Sequence, residues 1–193
     1  NTYIWSGSSV STADNLDALN LNPAGLGFNR GEQKALVFKG LEEDNYYIGL
    51  MGRYSSGFAY ELYYDNSSYN YSIGYGGEIS NNLYSGFKLN KKRDYSLGML
   101  YRPFDFLSLG LTVYDNHSNE DYKYKRYGFA IKPFEIKKIF NKSNSYLQNS
   151  NLTLGYDKTN SIIDDTFQEQ YFVNLSITPG IDLSYFTHKD NYG

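Results

Sequence analysis

The sequence predicts an all-β fold, specifically an antiparallel, up-and-down transmembrane β-barrel of about 10–12 strands. Three observations lead to this prediction. Apolar and polar residues alternate with a period of two, short and long turns alternate between strands, and tyrosine accounts for 22 of the 193 residues. A period of two places each set of side chains on one face of a strand.

Eleven strands are predicted in order along the chain, after an N-terminal segment of different character. They lie near residues 34–41, 46–54, 57–65, 68–79, 83–90, 94–103, 106–115, 122–133, 150–157, 168–178 and 181–189. The alternation is clearest in 68–79, where Tyr71 and Ile73 occupy one phase and Ser72 and Gly74 the other. One face of each strand is therefore apolar or aromatic, and the other is small and polar.

The connections that follow even-numbered strands differ in length and polarity from those that follow odd-numbered strands. Those after the second, fourth, sixth and tenth strands are compact, at 55–57, 80–82, 103–105 and 179–180. Those after odd-numbered strands are polar and often longer, at 42–45, 65–68, 91–93, 115–121 and 157–165. Turns of one parity lie at one end of an up-and-down barrel, and outer-membrane barrels have short periplasmic turns and longer outer loops. The insert at 134–150 departs from this rule. It is interpreted either as a structured turn over one end of the barrel or as a short amphipathic helix on a membrane surface.

Periodicity alone does not distinguish lipid from a soluble core, because a soluble sandwich also alternates. A soluble, Tyr-rich antiparallel domain that binds a ligand or a protein partner is therefore the alternative. Tyrosine suits positions that are apolar at one end and wet at the other, which the aromatic girdles of a membrane barrel provide. The mean hydropathy of −0.58 fits a barrel in which half of each strand faces a polar lumen.

Charge and motifs exclude several other functions. A net charge of −3 without a basic stripe argues against nucleic acid as a partner. The chain has no cysteine, and its two histidines, His117 and His188, lack metal-ligand spacing. No phosphate-binding loop or nucleophile elbow is present in the sequence. We therefore expect no enzymatic activity, no cofactor and no metal.

Residues 1–33 differ from the strands that follow. Residues 11–15 offer helix N-cap candidates, and the turn at 22–27, Asn-Pro-Ala-Gly-Leu-Gly, ends the helical stretch. This combination, an aspartate-containing helix that runs into an Asn-Pro-Ala turn before the first strand, resembles the N-terminal motif of the long-chain fatty-acid transporter superfamily of outer-membrane barrels. That superfamily includes relatives in type IX secretion. The Arg102-Pro103 and Lys132-Pro133 hairpins resemble a related group of barrels, some fused to a protease of the signal-peptide-peptidase class.

The resemblance implies a Gram-negative outer-membrane location and contact with outer-membrane lipid. Residues 1–33 would form a periplasmic hatch or cap, with Asn22, Pro23, Ala24 and Gly25 as its turn. Residues 34–193 would form barrel strands. The implied partners are a hydrophobic small molecule and a protein partner in secretion. On the alternative interpretation, the Asn-Pro-Ala turn only caps the bottom of the barrel.

Five ionisable residues fall on the polar phase of their strands and are predicted to line the lumen: Arg53, Glu61, Glu78, Lys88 and Arg102. Such groups in a membrane protein pair with one another or line a pathway. The expected function is passive transport of small or hydrophobic molecules or membrane anchoring, without intrinsic catalysis. A third alternative is the anchor of a fused periplasmic protease.

Strand number provides a further expectation. If the N-terminus is periplasmic, eleven strands finish at the outer rim, whereas bacterial single-chain barrels have even strand numbers. The sequence therefore predicts that the strands continue beyond this chain, in a longer polypeptide.

Overall fold

The computed structural model describes residues 9–29, 31–39, 47–65, 68–91, 93–115, 123–133, 135, 151–163, 166–178 and 181–191. Two short helices come first, α1 (Ala18–Leu21) and a 3-10 helix (Pro23–Gly27). The strands that follow are β1 (Gln33–Lys39), β2 (Tyr47–Arg53), β3 (Phe58–Asp65), β4 (Ser68–Ser80), β5 (Leu83–Asn90), β6 (Tyr95–Phe104), β7 (Leu107–Asp115), β8 (Lys123–Ile131), β9 (Asn151–Ser161), β10 (Phe167–Thr178) and β11 (Ile181–Asn191). In this described part of the chain, no helix is long and apolar enough to span a membrane.

The strands form a single antiparallel sheet in which each strand pairs with the next one along the chain. The predicted all-β, up-and-down arrangement of eleven strands is therefore confirmed. The end of the ninth strand was predicted wrongly, because the sequence placed a loop over 157–165 whereas β9 continues to Ser161. The extension forms because Lys158 pairs with Glu169 and Asn160 pairs with Phe167 on β10.

The connections define two rims. We call the rim with the β2–β3, β4–β5 and β6–β7 turns the tight-turn rim, and the other the opposite rim. The β6–β7 turn is Asp105-Phe106 rather than the predicted 103–105, since Pro103 lies inside β6. The strand register shifts between Tyr101 and Phe104, and such an irregularity accommodates a residue that cannot donate to the ladder.

The sheet is open, with β1 and β11 as its two edges. Gln33 of β1 pairs with Arg53 at the end of β2, and Ile181 of β11 pairs with Thr178 at the end of β10. Both edge strands thus start at the tight-turn rim and run in the same direction. Direct pairing between them would be parallel, which an up-and-down antiparallel sheet does not use. The closed barrel expected from the sequence is therefore not what the described residues form.

The two faces of the sheet have opposite character. One face carries large apolar side chains that are exposed, and we call it the outer face; it includes Leu36, Leu50, Leu62, Tyr71, Ile73, Leu97, Met99, Leu109, Leu111, Phe129, Leu154 and Val173. The inner face is buried and mostly small or polar; it includes Arg53, Glu61, Ser72, Lys88, Ser96, Ser108, Thr112, Thr153 and Asp157. The predicted alternation is confirmed, and its apolar phase lies on the exposed side.

The N-terminal segment fills the concave side of the sheet. We call residues 9–28 the plug, because they pack against the inner face rather than extend away from it. Hydrogen bonds join the plug to Arg53 of β2, Lys88 of β5, Ser108 of β7 and Asp157 of β9. Since these strands lie far apart in the sheet order, the sheet must curve around the plug.

Candidate functional site in the interior of the sheet

The fold of the plug follows from short polar side chains that bond locally. The Asn15 side chain accepts a hydrogen bond from the N–H of Asp17 at 3.0 Å, one residue before α1. Asn22 ends α1 and its Oδ1 accepts from the N–H of Ala24 at 3.2 Å, which caps the 3-10 helix. Pro23 then occupies the first position of that helix, where its missing N–H costs nothing.

Asn22 is fully buried between the plug and the sheet and has no exposed surface. Its Nδ2 donates to the carbonyl of Val10 at 2.8 Å and to the carbonyl of Met99 on β6 at 2.9 Å. Together with the bond from Ala24, these contacts use both amide hydrogens and the amide oxygen. One side chain therefore joins two separate parts of the plug, at Val10 and at Ala24, to the surrounding sheet, which we call the wall.

The wall approaches this turn closely because glycines line it. A Cβ added at Gly98 would lie 2.1 Å from Oδ1 of Asn22, and one added at Gly86 would lie 2.3 Å from the carbonyl oxygen of Pro23. Real side-chain atoms cannot make contacts that short, so these positions require glycine for close approach. Gly76 and Gly98 both pair with Gly86 in the sheet, so the glycines form a continuous surface across β4 to β6.

Arg53 is the most completely enclosed charged residue of the predicted lumen set, with 1% of its surface exposed. Its guanidinium donates to the carbonyl of Asp14 at 2.5 Å, to the carbonyl of Leu26 at 3.2 Å and to the carbonyl of Phe28. Carbonyls at the C-terminal end of a helix are partly negative, so a cation there is stabilised. Arg53 thus holds the C-terminal end of the plug against β2.

Arg102 ties a different part of the plug to β6. Its Nη1 forms a 2.7 Å ion pair with the carboxylate of Asp14, and its Nε donates to the hydroxyl of Ser108 at 3.0 Å. The guanidinium also lies over the ring of Phe28, with Cζ 4.1 Å from the centroid. Both charged partners are mostly buried, so the pair is screened less than a surface pair.

Two more predicted lumen residues, Lys88 and Glu61, face inward and are buried. The ammonium of Lys88 donates to Oδ1 of Asn20 in α1. Nearer the opposite rim, Asp94 accepts hydrogen bonds from Asn90 at 2.8 Å and from the hydroxyl of Tyr114 at 3.3 Å. These groups extend the polar interior beyond the plug.

Glu78 differs from the other four predicted lumen residues. It shares the inward phase of β4 but is exposed, and its Oε1 accepts from the N–H of Asn82 at 2.9 Å. The reason is that β4 continues past the plug into the tight turn at 81–82. Glu78 is therefore a turn-stabilising residue at the rim and does not line the enclosed interior.

Sequence reasoning missed three wall residues that bind the plug. Asp157, predicted as the last residue of the ninth strand, lies within β9 with 3% exposure and accepts a hydrogen bond from the N–H of Val10 at 3.0 Å. The hydroxyl of Ser108 donates to the carbonyl of Ser11 at 2.5 Å, and that of Thr112 donates to the carbonyl of Leu21 at 2.9 Å. In the sequence, these three residues share one feature. They fall on the inward-facing phase of β7 and β9, the phase that also contains small residues.

A cavity of about 910 Å³ lies beside the plug at the tight-turn rim. The plug contributes Thr12, Asp14 and Phe28, and the wall contributes residues of β6 to β10. The wall residues include Arg102, Leu107, Ser108, Ala130, Thr153, Phe172 and Asn174. Its volume is in the range of small-molecule sites, and its surface mixes aromatic rings with polar groups of both charges.

The described residues contain no group of three or more His, Cys, Asp and Glu side chains that could hold a metal ion. His188 is exposed on β11, whereas His117 and, within the insert at 134–150, residues 134 and 136–150 lie outside the described residues. The interior contacts provide hydrogen-bond partners for the polar groups of a buried backbone segment.

Comparison with known protein families, curated proteins and solved structures finds no match for this chain.

Proposed function

We propose that this chain forms the wall and plug of a bacterial outer-membrane β-barrel that serves the passive passage of small molecules. The single observation that carries the proposal is the inverted distribution of apolar residues. Large apolar side chains such as Leu97 and Leu62 are 54% and 51% exposed, whereas Arg53 and Glu61 are buried. A soluble β-protein places its apolar face inward, and a membrane barrel does the reverse.

The extent of the apolar outer face supports the same proposal. Exposed apolar side chains occur on strands from β1 to β11, from Leu36 to Leu183. Soluble monomers rarely expose a contiguous apolar patch larger than a few hundred Å². On β6 the outward residues from Tyr95 to Tyr101 cover about 20 Å at about 3.3 Å per residue, close to the height of a barrel's apolar band.

The ends of the strands also fit a membrane. Lys158 and Glu169 form a 3.7 Å ion pair on the outer face near the opposite rim, outside the apolar band. Aromatic rings pack at both rims: Tyr64 and Tyr69 have centroids 4.7 Å apart at the opposite rim, and the exposed rings of Tyr54 and Phe58 are 6.1 Å apart at the tight-turn rim. Aromatic girdles flank the apolar band of outer-membrane barrels.

A second candidate function is membrane anchoring without passage. It is favoured by the plug, which occupies the interior and bonds to strands on both sides of it, including Arg53 and Asp157. Both candidates share the same membrane wall. They differ in whether solutes cross it.

The first experiment compares gel mobility with and without boiling after refolding in detergent, alongside the solubility of the same chain in plain buffer. We expect a folded band that shifts on boiling and protein that stays in solution only with detergent. A monodisperse, β-rich protein in plain buffer with no shift would refute the membrane proposal. Conductance in planar bilayers then separates passage from anchoring.

A further inference from the structure

We infer that three outward-facing lysines near the opposite rim, Lys125, Lys158 and Lys189, bind a membrane glycolipid whose sugar head group carries two phosphate groups. We call these residues the lysine patch; they lie on β8, β9 and β11. The inference rests on the proposed function, because it requires the outer face to contact lipid, and it adds a partner for one sector of that face.

The register of β9 to β11 places two of the lysines on the outer face. Leu154 of β9 is 40% exposed there, and Lys158 is four residues further along the same strand, so both have the same phase. Lys158 pairs with Glu169 of β10, and Glu169 pairs in turn with Lys189 of β11. Residues that pair directly across an antiparallel ladder project to the same face. Lys158 and Lys189 therefore flank Glu169 on the outer face.

Lys125 belongs to the same group. It shares the phase of Tyr127 on β8, which is exposed on the outer face, and it is itself exposed. It pairs with Asn160 of β9, two residues beyond Lys158, so Lys125 and Lys158 are diagonal neighbours. Diagonal neighbours on one face lie about 7–8 Å apart, within reach of long side chains. One anion can therefore contact both ammonium groups.

Two tyrosines mark the depth of the lysine patch. Tyr156 and Tyr171 pair across β9 and β10 on the same face, one row closer to the middle of the sheet, and their ring centroids are 5.0 Å apart. The hydroxyl of Tyr156 donates to the carboxylate of Glu169 at 2.9 Å, so it is directed toward the opposite rim. Tyrosine is enriched at membrane interfaces, where its ring contacts lipid and its hydroxyl contacts polar groups. Lys158, about 7 Å beyond this row, then lies at the level of lipid head groups.

The charges of the outward-facing lysines are only partly balanced within the protein. Two of these lysines are ion-paired with carboxylates: Lys158 with Glu169 at 3.7 Å and Lys123 with Asp115 at 3.4 Å. Lys125 and Lys189 are exposed, and within the described part of the chain neither forms an ion pair. Two ammonium groups of the lysine patch are therefore available to an anion, and lysine near a membrane surface attracts anionic lipid.

The lysine patch is confined to one end of its strands. At the other end of β8, β9 and β10, the described outward-facing residues are apolar and include Ile131, Leu152 and Leu175. Apart from the insert at 134–150, the longer connections are at the opposite rim, and the longer loops of outer-membrane barrels face outside the cell. The lipid that meets the lysine patch therefore belongs to the outer leaflet, which in Gram-negative bacteria consists largely of phosphorylated glycolipids.

The arrangement also selects a head group with two phosphates. Glu169 lies between Lys158 and Lys189 and repels an anion placed midway between them. One phosphate contacts Lys125 and Lys158. A second contacts Lys189, which is about 14 Å from Lys125 across three strand intervals. The sugar that joins the two phosphates donates hydroxyl hydrogen bonds to the carboxylate of Glu169. A lipid with a single phosphate leaves part of the lysine patch without an anion.

The test measures lipid binding to the full chain, refolded in a non-ionic detergent, by native mass spectrometry. The probes are lipid A with two phosphates, monophosphoryl lipid A and phosphatidylglycerol, of which lipid A should bind most tightly. We expect Lys125→Ala combined with Lys189→Ala to weaken binding of lipid A about tenfold, because each lysine near an anionic lipid contributes severalfold to affinity. Lys125→Arg combined with Lys189→Arg keeps both charges and should bind as the unmodified chain does.

The control is Lys34→Ala combined with Lys91→Ala, which changes the net charge by the same amount. Lys34 is exposed on the outward phase of β1 at the tight-turn rim, and Lys91, in the turn after β5, donates to the carbonyl of Tyr69. Both lie outside the lysine patch, so this variant should bind lipid A as the unmodified chain does. An equal loss of affinity in both double alanine variants would show that only net charge matters and would refute the lysine patch.

The remaining outcomes separate the lipid site from the proposed function. Each variant is first checked for the band shift on boiling, and absence of the shift in the unmodified chain refutes the membrane proposal itself. If the shift is present and Lys125→Ala with Lys189→Ala leaves lipid A binding unchanged, only the lipid site is wrong. Equal affinity for lipid A and monophosphoryl lipid A would overturn the two-phosphate head group. Displacement of lipid A by inorganic phosphate alone would show that the site recognises phosphate without the lipid.

Discussion

The side-chain amide of Asn22 donates a hydrogen bond to the backbone carbonyl of Met99 at 2.9 Å, from the plug to the sixth strand. The same amide group also donates to the carbonyl of Val10. A single buried residue thus connects two parts of the N-terminal segment with the wall, and the consequences of replacing it are predictable.

Replacing Asn22 with alanine should lower the free energy of unfolding by about 3 kcal/mol, because two buried carbonyls lose their donor. Denaturant unfolding in detergent micelles measures this change. Asn29→Ala is the control, since Asn29 is an exposed residue just after the plug. Equal stability of the two variants would show that the Asn22 contacts do not hold the plug.

Replacing Gly98 with alanine should displace the plug, because the new Cβ would meet Oδ1 of Asn22 at 2.1 Å. Overpacking of this kind costs about 1–3 kcal/mol. Gly77→Ala is the matched control, since the nearest atom to a Cβ there is a Tyr75 ring atom at 3.7 Å. Limited proteolysis of the plug should be faster in the first variant only; equal rates in both would contradict the close approach.

Replacing Arg53 with alanine should increase hydrogen exchange over residues 24–28, because the carbonyls of Leu26 and Phe28 lose a charged donor. The expected loss of stability is about 3 kcal/mol. Arg53→Lys should recover only part of it, since an ammonium lacks the planar fork of guanidinium. Lys34→Ala, at an exposed position on β1, serves as the control. Full recovery by lysine would mean that charge alone matters.

A charge on the outer face distinguishes lipid from water. Ile73→Arg, near the middle of β4, should lower stability in bilayers by about 2–4 kcal/mol, and Tyr69→Arg, at the end of the same face, by at most about 1 kcal/mol. In a soluble protein both substitutions at these exposed positions would change stability by about 0.5 kcal/mol or less. Unfolding titrations in vesicles measure the two values, and a difference near zero would favour the soluble alternative.

Local patterns were sufficient to predict the strands. Alternation around Tyr71 and Ser72 identified β4 and its two faces, since periodicity is encoded within each strand. The interior required three-dimensional information, because Asp157 becomes a plug contact only when β9 curves back to Val10. Its neighbours Lys158 and Asn160 suggested a loop, yet their pairing with β10 makes them part of the strand.

The five residues predicted to line the lumen show the same division between what the strand pattern encodes and what requires the three-dimensional structure. Arg53, Glu61 and Lys88 are buried on the inner face of the sheet, and Arg102 lies at the edge of the cavity. Phase alone could not place Glu78, because exposure at a strand end depends on how far the plug extends along the wall. The contacts of Arg53 with three plug carbonyls were likewise outside what strand periodicity encodes.

The bond between Val10 and Asp157 joins residues 147 positions apart in the sequence. A contact of such sequence separation forms late and slowly, since the chain entropy of a long loop is lost before the bond is gained. Strands that are neighbours in the sheet, in contrast, follow one another directly along the chain, so the loops between them are much shorter. The earliest described part of the chain therefore acquires its final environment only when the ninth strand joins the sheet, so its assembly should be ordered, with the plug enclosed by strands that add one after another.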